Sequence, residues 1–198
     1  MTELSAVAAQ SSTTIGPGRL ILVVGPSGAG KDTLLGLAKA ACADDRSIIF
    51  ARRLITREAS AAEDNEQVSP EEFQRAALAG GYAMHWDAHG HRYALSNAIN
   101  DAIRAGHTVI ANVSRTVIAS ARRNYANPIV VSITAPPEVL AARLAARARS
   151  SDGKLERRLA RTVDESASTP DFTIVNSGSA DYHARQLVRV IRGERWDC

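Results

Sequence analysis

Cysteine is nearly absent: Cys42 and Cys198 are the only two in 198 residues. They have no metal-ligand spacing and form no disulfide framework, which fits a reducing, cytoplasmic compartment. Lysine is scarce too, with Lys31, Lys39 and Lys154 standing against twenty-one arginines. Arginine forks grip phosphate two oxygens at a time, but codon bias explains the total equally well, so only arginine placement informs. No apolar run approaches the roughly 18 residues of a membrane span, and no membrane partner is expected. The first eighteen residues, rich in Ala, Ser and Thr, carry no basic residue. They lack the marks of a secretory signal or transit peptide and read as a flexible tail. A net charge of +3 is too small to argue for nucleic acid.

What remains is an ordinary globular composition, 45% hydrophobic and 23% charged, of a length that suits one domain. Its most informative segment follows the apolar run Leu20–Val24 and reads Gly25-Pro26-Ser27-Gly28-Ala29-Gly30-Lys31-Asp32. A strand, a Gly-x-x-x-x-Gly-Lys loop and a helical pattern from Thr33 to Ala43 together spell a phosphate-binding loop. Its glycines let backbone N–H groups converge on phosphate oxygens, and Lys31 reaches the β- and γ-phosphates. The expected ligand is a nucleoside triphosphate. Where such loops usually carry Ser or Thr after the lysine to ligate Mg²⁺, this chain has Asp32 and then Thr33. Two readings of Asp32 stand: a hard-oxygen ligand for Mg²⁺, or an acid that favours the helix N-terminus through the dipole.

Apolar, β-branched runs at Leu20–Val24, Ser47–Ala51, Thr108–Val113, Ile129–Thr134 and Phe172–Val175 alternate with helical patterns. Most are apolar on both faces, as a covered parallel sheet requires. Helix starts are legible at Ser69-Pro70, Ser96, Ser114 and Pro136-Pro137, with stops at Gly80-Gly81 and Gly106, and a last helix runs from about 180 to 193. The fold expected is α/β: a doubly wound, five-stranded parallel sheet over residues 19–198. An insertion over about 52–95 is expected to bind the acceptor. It holds a short helix and a loosely alternating run, Tyr82 to Tyr93, in which Trp86 suits a sugar face or the core equally. A lid over about 143–161 carries six arginines, Arg143, Arg147, Arg149, Arg157, Arg158 and Arg161. Closing on the triphosphate, they would offset the charge that develops in phosphoryl transfer, unless they are a solvated basic face. His85, His89 and His91 lack a completing thiolate or carboxylate, which argues against zinc.

Together these marks resemble the guanylate kinase family from about Arg19 to Arg192: the loop, Thr56-Arg57, Ser69 to Phe73, Gly90 with Tyr93, Pro136-Pro137, Arg143-Leu144 with Arg147, Arg158-Leu159, and Asp171 to Asn176. The resemblance implies that Arg57 and Tyr93 touch the acceptor's phosphate, that Arg143, Arg147 and Arg158 are catalytic lid arginines alongside Lys31, and that Asn176 lies near the adenine. The departures are Ser60 in place of a second acceptor arginine, a stretch shortened between Glu63 and Val68, Met84 in place of the guanine-reading glutamate, and Leu95 in place of a serine. A guanine pocket needs buried acceptors for the base's N–H groups, so GMP is not the expected acceptor.

The variant pattern, Gly30-Lys31-Asp32-Thr33-Leu34-Leu35, Ile55-Thr56-Arg57, His85-Trp86 through His89-Gly90 to Arg92-Tyr93, and Asn112 to Arg115, is similar to the ribose 1,5-bisphosphate phosphokinases. That family, part of phosphonate catabolism, makes 5-phosphoribosyl 1-diphosphate with ATP. The implied partner is a phosphorylated sugar, with His85, His89, Arg92 and Arg115 expected to join Arg57 and Tyr93 around it. A nucleoside monophosphate kinase and a non-catalytic guanylate-kinase-like module are the competing classes. An apolar face on an unassigned helix leaves room for a homodimer.

Overall fold

Strand β1, Arg19–Val24, is the centre of the molecule, and its alternation divides the core. Leu20, Leu22 and Val24 face one apolar cluster. Ile21 and Val23 face the other. In a computed structural model describing residues 14–57, 64–148 and 169–194, five strands form a parallel sheet. The others are β2 (Ile48–Phe50), β7 (Thr108–Asn112), β8 (Pro128–Thr134) and β9 (Phe172–Val175), in the order β2-β7-β1-β8-β9. From β1 the chain runs to the edge strand β2, returns inward to β7, then crosses to β8 on the other side of β1 and ends outward at β9. The cleft at the carboxyl ends of the strands is where α/β sheets place ligands.

Helices cover both faces, as strands apolar on both sides demand. Helices α1 (Lys31–Ala41) and α6 (Ala180–Arg192) pack on one side through Leu34, Ala38, Leu187 and Ile191. Helices α3 (Ala98–Arg104) and α4 (Ile118–Asn124) pack on the other through Ile99, Ile103, Ile118 and Ala121. Helix α5, Pro137–Ala148, follows β8. The buried Tyr125 joins α3 to the end of α4, its hydroxyl donating to Asn100 Oδ1 at 2.6 Å. Helix starts lie close to where the sequence puts them. Ser69 caps α2 (Pro70–Leu78) in a reciprocal box with Glu72. Ser96 instead ends a strand, and Asn97 stands at the α3 N-cap.

The insertion holds more than a helix and a loose run. Four strands form a second sheet, β4-β3-β6-β5, from β3 (Arg53–Ile55), β4 (Asn65–Gln67), β5 (Tyr82–Ala88) and β6 (His91–Ser96). β5 and β6 are a hairpin turning at His89 (φ 54°) and Gly90 (φ 78°), the positive angles of a type I′ turn. One face of this sheet, Ile55, Met84, Trp86, Tyr93 and Leu95, belongs to the same buried cluster as Leu20 and Leu22. Helix α2 covers the other face, where Phe73 meets His85 edge-on with ring centres 6.3 Å apart.

Candidate active site

The loop after β1 owes its path to its glycines. Gly25 has φ 147°, and a Cβ there would lie 1.9 Å from the Ile133 carbonyl oxygen of β8. Gly30, the α1 N-cap, has φ 86°, and a Cβ would fall 2.4 Å from Asn176 Nδ2. No side chain caps α1, so its first-turn N–H groups are the donors such a loop presents to phosphate. Lys31 Nζ donates to the carbonyls of Gly25 at 2.8 Å and Pro26 at 2.9 Å, closing over the loop.

Three neighbours hold the loop. Asn176, just past β9 and 4% exposed, donates from Nδ2 to the Ala29 carbonyl at 2.9 Å. It therefore shapes the loop from behind, a role distinct from the adenine contact implied by resemblance. Arg143 of α5, one of the arginines expected in the lid, brings Nη1 to 3.3 Å from the Gly28 carbonyl. Leu144 lies alongside, 3.4 Å from where a Gly28 Cβ would stand. Arg147 lies one turn along α5, described by its backbone, and Arg158 lies outside the described residues.

Asp32 is more engaged than either reading of the sequence foresees. Its Oδ1 accepts from Asn112 Nδ2 at 2.9 Å and faces Arg53 Nη2 at 3.8 Å. Both neighbours sit where the large sheet meets the insertion, Asn112 at the end of β7 and Arg53 at the start of β3. Among the described residues Oδ2 has no such neighbour. A single carboxylate oxygen beside a phosphate loop fits Mg²⁺, which takes one or two carboxylates and completes its shell with water and phosphate. Thr33 is exposed on the same first turn of α1, and Ser27 is half-buried in the loop.

On the acceptor side, the pleat sorts the expected residues into two groups. Tyr93 points inward, 7% exposed, stacked on Trp86 with ring centres 5.7 Å apart and planes 6° from parallel. Trp86 is thus a core residue supporting Tyr93. Arg92 and His85 are each one position away from that face and point outward, which corrects their placement with Tyr93. Arg92 donates to Gln74 Oε1 of α2 at 2.7 Å, and its guanidinium lies 6.0 Å over the Phe73 ring. His89 occupies the exposed hairpin tip, where it is a turn residue. Arg57, half-buried, follows β3, with Thr56 joined to Arg92 backbone to backbone at 3.1 Å. Arg115 is exposed at the first position of the 3₁₀ turn after β7, three residues past Asn112. No cluster of three metal-ligating side chains occurs among the described residues, and none of their helices is long and apolar enough to cross a membrane.

Arg53 is the residue that sequence reasoning misses. It shares the inner face with Ile55, its guanidinium 5.9 Å from the Tyr93 ring centre and its Nε donating to Asn65 Oδ1 at 3.0 Å. The signal was present as the alternation Arg53-x-Ile55-x-Arg57, a period of two. Nearby, Asp64 ties the insertion to α1, meeting Lys39 at 2.7 Å and Arg52 at 2.8 Å. These cations, Lys39 foremost, hold its carboxyl below the ordinary carboxylate range.

Comparison with known proteins bears on the whole assembly. An AAA domain family model matches residues 21–164. The ribose 1,5-bisphosphate phosphokinase PhnN of Bradyrhizobium diazoefficiens is 63% identical over 196 residues, 99% of each chain. The protein of the same name from Rhodopseudomonas palustris is 60% identical over 195 residues, 98% of each. Among solved structures, guanylate kinase from Anaplasma phagocytophilum superposes with a TM-score of 0.61 at 19% identity, covering 91% of this chain and 86% of that one. That likeness shows the α/β fold of a P-loop kinase.

Proposed function

Because the chain belongs to the ribose 1,5-bisphosphate phosphokinase family, we propose that it transfers the γ-phosphoryl group of ATP to the 1-phosphate of ribose 1,5-bisphosphate. The products are 5-phospho-α-D-ribose 1-diphosphate and ADP, and the place in metabolism is phosphonate catabolism in the cytoplasm. The catalytic unit is residues 19–198, with residues 52–95 receiving the acceptor and residues 143–161 closing as a lid. The observation that carries the reading is the loop geometry: Lys31 and Arg143 both converge on carbonyls between Gly25 and Ala29.

An oxygen of the 1-phosphate, ionised at neutral pH, attacks the γ-phosphorus while the bond from that phosphorus to the β,γ-bridging oxygen breaks. No general base is needed, so catalysis reduces to alignment and charge compensation. The α1 N–H groups and the loop backbone hold the phosphate chain. Lys31 exchanges peptide carbonyls for charged phosphate oxygens, which are stronger acceptors. Arg143, with Arg147 and Arg158 from the lid, offsets charge on the transferring group. Arg57 and the Tyr93 hydroxyl take the acceptor's reacting phosphate, and Arg115 flanks the cleft. Mg²⁺, when bound through Asp32, supplies further charge neutralisation to the phosphates.

The inner face of the small sheet presents the buried, apolar Met84 and Leu95 where the guanylate kinase resemblance places guanine-reading groups. A coupled ADP-release assay with ribose 1,5-bisphosphate, GMP, AMP and gluconate tests the reading. Turnover is expected with the bisphosphate alone. Turnover with GMP alone would make the chain a nucleotide kinase, and silence with every acceptor would favour a binding module.

A further inference from the structure

We propose that Arg53 is the second phosphate clamp of the acceptor site, holding the phosphate that does not react; the assignment rests on the kinase reading above. A sugar bisphosphate brings one phosphate to be attacked onto and one to be recognised. The reacting phosphate belongs between the loop and the Arg57–Tyr93 pair. The other needs a cation on the insertion, and the pleat turns Arg92 away from it onto α2.

Arg53 meets the requirements of such a clamp. It lies on the inner face with Tyr93, beside the apolar Ile55, Met84, Trp86 and Leu95. Its side chain is only 17% exposed, so a phosphate meeting it is gripped largely out of water, where charge-assisted hydrogen bonds are strong. The fork is oriented in advance, with Nε fixed on the buried Asn65 and the Tyr93 ring beside it. Asp32 balances its charge at 3.8 Å, longer than a hydrogen bond, and has a bond of its own from Asn112 at 2.9 Å. Arg53 can therefore turn to a phosphate without leaving Asp32 unpartnered. Arg57 lies two residues past the end of β3, so the two stems start on either side of Ile55.

The test compares wild type, Arg53→Met and Arg53→Lys on ribose 1,5-bisphosphate and on ribose 1-phosphate, which keeps only the reacting phosphate. The expected result for Arg53→Met is a KM for the bisphosphate raised about 10- to 100-fold, with a far smaller change on ribose 1-phosphate. Arg53→Lys falls between, because an ammonium cannot grip two oxygens at once. ATP affinity by calorimetry stays at the wild-type value. Parallel losses on both acceptors, or a fall in ATP affinity, would make Arg53 a structural partner of Asp32 and overturn the clamp. So would unchanged kinetics on the bisphosphate. Should Arg53→Met not fold, Arg53→Lys carries the same comparison. A wild type that turns over neither acceptor would instead overturn the kinase reading itself, and the clamp with it.

Discussion

Lys31 closes its own loop, its ammonium shared between the carbonyls of Gly25 and Pro26. Replacing it with Met removes the one loop cation able to follow the phosphate through the transition state. Lys31→Met is expected to lower kcat at least about 100-fold in the ADP-release assay, with the acceptor's binding unchanged. Asp32 leads to a different expectation. Asp32→Asn keeps a carbonyl-type oxygen but loses the charge, and should raise the Mg²⁺ concentration for half-maximal rate roughly tenfold. An unchanged Mg²⁺ dependence would leave Asp32 with its Asn112 and Arg53 contacts alone. At this scale the loop was legible because every mark of it is local, eight consecutive residues between a strand and a helix. Arg53 was not, because its meaning depends on which side of a three-residue strand it occupies and on partners at Asp32, Asn65 and Tyr93.

Elements whose ends are encoded by neighbouring residues were equally readable. The Ser69–Glu72 box places α2, and Ser69→Ala should cost about 1 kcal/mol in urea unfolding. The bond from Ser69 N–H also holds the Glu72 carboxyl below the usual range, so the box keeps its charged partner to lower pH than an unbonded glutamate would. The small sheet escaped because β3 and β4 have three residues each and their pairing with one another and β6 is non-local. The pairing of α3 with α4 through Tyr125 yields a measurable pH dependence. Burial pushes the Tyr125 phenol up to about 12, with the Arg104 charge opposing it in part. The folded state thus holds the proton more tightly than the unfolded chain, whose phenol titrates near 10. Stability should be intact below pH 10 and fall by about 3 kcal/mol between 10 and 12. In Tyr125→Phe that alkaline fall should disappear, at the cost of a lower stability at neutral pH.

On the scale of the whole molecule, the sheet order β2-β7-β1-β8-β9 gathers the phosphate loop, Asn112, Arg115 and Asn176 at one edge, although they are spread over 150 residues of chain. The alternation of strands and helices foretold that edge. What it could not foretell was how the insertion leans on it, since the packing of Tyr93 and Leu95 against the central core is a tertiary matter. The arrangement explains why a nucleotide-kinase scaffold can serve a sugar: a part-buried arginine and apolar side chains stand where a base reader would need acceptors. Phosphorus NMR of a reaction holding the chain, ATP, Mg²⁺ and ribose 1,5-bisphosphate is the most direct test. The account predicts that the 1-phosphate resonance gives way to the coupled pair of a diphosphate while the 5-phosphate resonance stays. An unaltered spectrum, or a diphosphate built at the 5-position, would contradict it.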